Sequence, residues 1–102
     1  MADVDLTAEE VGAHEVALTA NTAKTVGFAR DLSEVEVANI GGTATVYVAF
    51  LDAGNAKAAT VGGKHCYPVF PNSTATLPVR TDGNTLVSLI SPAATTVWVT
   101  RT

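Results

Sequence analysis

From His14 onward, apolar and polar positions alternate with a period of two, the spacing that sends successive side chains to opposite faces of an extended strand. His14 to Leu18 places Val16 and Leu18 on one face. Asn21 opens a turn, and Lys24 to Phe28 alternates again. Ser33 to Ala38 is the plainest case, with Val35 and Val37 facing in and Glu34 and Glu36 facing out. Ile40-Gly41-Gly42-Thr43 predicts a hairpin, because glycines supply the positive φ angles that two-residue turns need. Thr43 to Leu51 then sets Val46, Val48 and Phe50 on one face and Thr45, Tyr47, Ala49 and Leu51 on the other, so both faces are partly covered. Residues 52–57 read as a polar loop and Thr60 to Gly63 as a further turn. Thr74 to Val79 points Leu77 and Val79 inward, and Pro78, with no N–H to donate, confines that strand to an edge or a bulge. Asp82-Gly83-Asn84 is a second strong turn signal. Leu86 to Ile90 is apolar on both faces and predicts a central strand. After a turn at Ser91-Pro92-Ala93-Ala94, Thr96 to Arg101 closes the chain with Val97 and Val99 inward and Trp98 outward. About eight short strands at spacings of about ten residues predict an all-β fold, an antiparallel β-sandwich or small barrel.

Ahead of His14 the pattern changes. In Leu6-Thr7-Ala8-Glu9-Glu10-Val11-Gly12, Thr7 stands as N-cap and Glu10 three residues on, a capping box. Leu6 and Val11 occupy the flanking positions of a hydrophobic staple, and Gly12 permits a left-handed exit. These residues predict one short helical turn within an N-terminal arm, residues 1–13, joined to a single β-domain, residues 14–102. Composition agrees with the strands: 17 Ala, 14 Val and 15 Thr stand in 102 residues, and β-branched side chains suit a pleated, half-buried surface. The start of the chain has neither a basic segment nor an apolar one, so no signal peptide is expected. The longest apolar run, Val46 to Leu51, is too short to span a bilayer. One cysteine makes no internal disulfide, and synthesis in a cytoplasm is expected.

The net charge of −4 is uneven. Asp3, Asp5, Glu9, Glu10 and Glu15 fall in the first fifteen residues with no Lys or Arg among them, while the rest of the chain is nearly neutral. No basic stripe is present, which argues against nucleic-acid binding.

Chemistry-bearing residues are few. His65-Cys66 is the one pairing that suggests a reactive thiol or a metal site. On a strand the two side chains would point to opposite faces, His65 with Tyr67 and Val69, Cys66 with Phe70. Zinc takes three or four ligands, and the chain offers one Cys and two His. Cys66 therefore reads as a small buried hydrophobe. Glu34 and Glu36 share a solvent face, where acids solubilise or protect an edge. Asp52-Ala53-Gly54-Asn55 lacks the carboxylate density of a calcium loop. There is no nucleophile elbow, P-loop or dinucleotide fingerprint. The expectation is a non-enzyme with no cofactor and no metal. Tyr47 and Trp98 stand opposite the inward valines, either covered by a second layer or exposed as contact anchors.

Four stretches carry a resemblance: VALTANTAKTVGF, VEVANIGGTATVYVAF, VGGKHCYPVFP and LVSLISPAATTVWVT, covering roughly 85 residues. Together they resemble small all-β virion proteins of tailed bacteriophages infecting actinobacteria. In similar sequences a Gly-Gly, Cys-Tyr segment precedes a proline-containing return, and a Leu-Ile-Ser strand precedes the last one. The resemblance implies a structural protein of the phage particle. The foremost such role is capsid decoration: binding outside the assembled head, on the major capsid protein, as a trimer or dimer. The alternative is a tail or fibre module that binds a host-surface glycan. Neither role involves nucleic acid or a membrane. The expected contact residues are Leu6, Glu9, Glu10 and Val11 in the arm, with Tyr47 and Trp98 on the β-domain. The arm, outside the shared pattern, is expected to order around Leu6 to Val11 only against a partner.

Overall fold

A computed structural model describes residues 4–6, 12–28, 34–40, 44–51, 57–78 and 85–101. These form nine strands: β1 (Val4–Leu6), β2 (Gly12–Leu18), β3 (Lys24–Phe28), β4 (Glu34–Asn39), β5 (Val46–Leu51), β6 (Tyr67–Val69), β7 (Ser73–Pro78), β8 (Thr85–Ile90) and β9 (Thr95–Arg101). No helix occurs among the described residues, and the all-β expectation holds.

One sheet has the order β1-β3-β8-β5-β6 and the other β2-β9-β4-β7. Every pairing is antiparallel except that of β1 with β3. Only β5 and β6 are both consecutive and paired; every other connection passes from one sheet to the other. Leaving β1 aside, this interleaving is the order of a jelly roll, two Greek keys wrapped into a sandwich.

The alternation makes the core. Val16 and Leu18 of β2, Val97 and Val99 of β9, Val35 and Val37 of β4 and Leu77 of β7 face Val26, Val87, Leu89, Val46, Val48 and Val69 of the other sheet. Phe50 and Ala75 pack against the margin of this cluster. Stiff β-branched side chains fill the gap between the sheets with little rotamer freedom to lose. The prolines fall where a missing N–H does least harm: Pro68 lies in edge strand β6, and Pro78 ends edge strand β7. β8 lies between β3 and β5, central as its two apolar faces predict.

Several expectations change. The Gly41-Gly42 hairpin does not form, because β4 and β5 lie in different sheets. The apolar faces of both strands outweigh the local turn preference: each gains more by packing across the sandwich than by pairing edge to edge. The helical turn falls on residues 7–11, outside the described residues, while Leu6 closes a three-residue strand. That strand, β1, pairs parallel to β3 with Leu6 opposite Phe28, and no alternation in so short a segment signals it. β2 begins at Gly12, inside the segment assigned to the arm.

Candidate functional site

The chemistry of His65-Cys66 lies in a turn and not on a strand, since β6 begins only at Tyr67. The expectation that the two side chains diverge is therefore wrong: Cys66 Sγ lies 3.6 Å from His65 Nε2. Two successive turns produce this. Gly63 N–H donates to Thr60 O at 3.0 Å, with Gly62 at φ +72°, and Cys66 N–H donates to Gly63 O at 3.2 Å. Gly63 lies where the chain approaches itself closely, so a Cβ there would meet Thr60 Oγ1 and sit 2.9 Å from His65 Cε1, and those side chains would have to shift.

The pair nevertheless lacks the wiring of a nucleophile and its base. His65 Nε2 lies 2.9 Å from the carbonyl of Ala58. A carbonyl only accepts, so this nitrogen carries the proton and cannot take one from the thiol. Cys66 Sγ donates instead to Thr60 O at 3.7 Å. The segment 57–66 is a cover over the outer face of the β1-β3-β8-β5-β6 sheet. Ala59 and Cys66 pack with Ala49, Ile90, Tyr47 and Ala23, and Ala59 N–H donates to the buried Ser88 Oγ at 2.9 Å. Among the described residues no three His, Cys, Asp or Glu come together as metal ligands.

Tyr47 and Trp98 part company. Tyr47, on β5, is half-buried beneath the 57–66 cover. Trp98, on β9, lies on the outer face of the opposite sheet and is 40% exposed. Its register neighbours are Glu15 on β2 and Ala38 on β4, with Thr96 and Thr100 flanking it on the same face. The two aromatics cannot share one ligand. Of the arm residues, Leu6 lies on β1, and Glu9, Glu10 and Val11 lie outside the described residues.

One surface leaves no mark in the alternation of the strands. Ile40 is 62% exposed and Phe70 61%. Ile40 directly follows β4 and Phe70 directly follows β6, at the same end of the sandwich. The connections 19–23, 70–72 and 91–94 lie at this end together with Ile40, Ala44 and Thr45, as the pairings Leu18–Thr95, Lys24–Leu89, Asn39–Ser73 and Val46–Val69 require. Asn39 holds two of these connections together: its Nδ2 donates to Ala44 O at 2.8 Å and to Val69 O at 3.1 Å. Asn72 N–H donates to Asn39 O at 2.7 Å, and Asn21 N–H joins the other two connections through Ser91 O at 2.8 Å. Phe70-Pro71-Asn72-Ser73 is a type II turn, with Pro second, Asn72 at φ +59° third, and Ser73 N–H closing on Phe70 O at 3.2 Å. Its sequence signal was a large apolar residue inside turn chemistry, where solvent would favour a polar one.

Comparison with protein-family models, with curated proteins and with solved structures finds no match to this chain.

Proposed function

We propose that this chain is a non-catalytic structural protein of a phage particle, a decoration protein that binds outside the assembled head and bridges neighbouring capsid subunits. The observation that carries the reading is a surface suited to contact: Ile40 and Phe70 stand exposed on turns tied together by Asn39 and Asn72. Contact residues held in place before binding lose little freedom on binding, and rigid apolar anchors are what interfaces use. Three further points support it. The stretches resembling phage virion proteins include Asn39, Ile40 and Phe70. Jelly rolls serve in viral capsids, although also in lectins and cupins, so fold alone does not choose among them. His65 is committed to a backbone carbonyl and not to activating Cys66. On this reading the major capsid protein is the partner and the virion surface the location. Quantitative mass spectrometry of purified particles tests it, with the chain expected at a copy number comparable to that of capsid subunits. Its absence, or a few copies per particle, would rule decoration out.

Exposed Trp98 beside Glu15 favours one second reading, a glycan-binding module of a tail or fibre. Sugar rings stack on exposed aromatic faces, and carboxylates accept their hydroxyl hydrogen bonds. With Tyr47 under the opposite sheet's cover, such a site rests on a single ring. Titration of Trp98 fluorescence with cell-wall oligosaccharides separates the two readings: a saturable change lost in Trp98→Ala supports the glycan module.

A further inference from the structure

The two outer faces of the sandwich differ. That of the β1-β3-β8-β5-β6 sheet lies beneath the 57–66 cover, which buries Ala49 and Ile90. On the β2-β9-β4-β7 sheet the outward residues around Trp98 are Glu15, Thr96, Thr100, Glu36 and Ala38, and none of them is buried. The charges among these positions, Glu15 and Glu36, are both acidic. Lys24 reaches the β2 edge from the other sheet, where its amine donates to Ala17 O at 2.8 Å. That bond also reveals the pairing. Ala17 turns its carbonyl away from β9, and Glu15, two residues back, does the same. Glu15 and Trp98 are therefore a non-hydrogen-bonded pair, the kind whose side chains stand closest, with Cα atoms about 4.5 Å apart. On the β4 side the neighbour is Ala38, too small to shield the indole, which stays 40% exposed. Glu36 stands diagonal to the ring, opposite Thr100.

We propose that this bare face takes an arginine-bearing segment of a partner protein, with one guanidinium stacked on Trp98 and paired with Glu15. Charge complementarity selects the occupant. The face of an indole carries negative potential and attracts a cation. The carboxylate beside the ring attracts the same cation, and a second carboxylate lies diagonally across. A guanidinium engages ring and carboxylate together: it is planar, so it stacks, and its N–H fork meets a carboxylate with two parallel bonds. An ammonium is a compact, strongly hydrated point charge and gains less at such a place. A second copy docked on this face about a two-fold axis would set Glu15 and Glu36 against their own counterparts. Nucleic acid and anionic membranes are repelled for the same reason. A neutral glycan uses the ring but leaves both carboxylates without a counter-charge. The site is also held ready, since β9 lies between β2 and β4 and its backbone is fixed from both sides.

The inference does not rest on the phage reading. A particle without this chain leaves the arginine site standing, and loss of the site leaves decoration through Ile40 and Phe70 standing. Trp98 is the chain's only tryptophan, so its emission reports this face alone. The probe is the peptide acetyl-Arg-Gly-Arg-amide, titrated into the full chain beside a twin with citrulline, neutral and of nearly the same shape, at both arginines. Each exposed contact is weak, so a saturable change in the millimolar range is expected. The citrulline peptide should bind at least about tenfold more weakly. The double variant Glu15→Gln, Glu36→Gln should weaken binding of the arginine peptide at least about threefold. Both positions face outward, so the variant should fold, with an unchanged circular dichroism spectrum as the check. Raising salt from 50 to 500 mM should also weaken binding, because it screens the attraction. No response to the arginine peptide would overturn the proposal. So would equal affinity for its citrulline twin, or indifference to the double variant or to salt. A response to neutral cell-wall oligosaccharides alone would overturn it in favour of the glycan module.

Discussion

Asn39 is fully buried and makes two bonds that an apolar side chain of its size could not. Its Nδ2 satisfies the carbonyls of Ala44 and Val69, while Oδ1 has no partner among the described residues. Asn39→Ala removes the donor and leaves a cavity. Urea unfolding should show a loss of about 2–4 kcal/mol. Asn39→Asp tests the same bonds through pH. A carboxylate would face two carbonyls with no proton to give, whereas the protonated acid can still donate to one. Burial and the carbonyls favour the neutral form, so the introduced carboxyl has a higher pKa folded than unfolded. Its penalty relative to Asn39 should then be smallest at acid pH and grow as pH rises through the folded-state pKa. Unfolding curves of both proteins between pH 3.5 and 7.5 measure that difference; a pH-independent gap would contradict the assigned bonds. The tie between Asn39 and Val69 spans thirty positions of the chain. Alternation shows that Asn39 faces inward, but not which carbonyls await it.

At the scale of elements, the segment 57–66 behaves as a lid riveted to the outer face of a sheet. Gly63 is where it comes closest to itself. Gly63→Ala should cost about 1–3 kcal/mol in thermal or chemical unfolding, since Thr60, His65 and Cys66 would all have to move. Gly62, with open space around its Cβ position but φ +72°, is a different case. Gly62→Asn should be nearly neutral, because Asn tolerates the left-handed region as Asn21 and Asn72 do here. The turn residues were legible for that reason: Asn21 and the Thr60–Gly63 segment were read as turns from composition and are type II turns in the fold. The termini were less so. Since β2 starts at Gly12, an N-terminal deletion should stop at residue 11 to spare the pairing of Gly12 and Ala13 with β9. Removing residues 1–11 should leave the sandwich folded, lower its stability by about 1–2 kcal/mol through loss of the β1–β3 pairing, and expose the edge of β3. Faster amide exchange confined to Lys24–Phe28 would identify that edge. Unchanged exchange there would mean that β1 contributes nothing to it.

For the whole molecule, the decisive property is how little of the pairing is local. The first described strand of the domain proper, β2, pairs with the last, β9, and β3 pairs with β8. Such closures must be made before the valine core can reward them, so folding should be slow for a chain of this size, in the millisecond-to-second range. Stopped-flow dilution from urea measures the rate; microsecond folding would be incompatible with this strand order. The same closure brings Ile40 and Phe70, thirty positions apart in the chain, to one end.

By itself the sequence determined the class of fold, the inward and outward faces of its longer strands, the prolines' places at edges and the central place of β8. All are consequences of side-chain periodicity and backbone chemistry, which act over a few residues. Tertiary structure alone decided which strands pair, that β4 and β5 part at Gly41-Gly42, that Cys66 meets His65, and that Tyr47 and Trp98 end on opposite faces. It also brought Ile40 and Phe70 to one end. These depend on which apolar faces meet across the sandwich, and with so many valines offering nearly equivalent faces, local pattern cannot distinguish one partner from another.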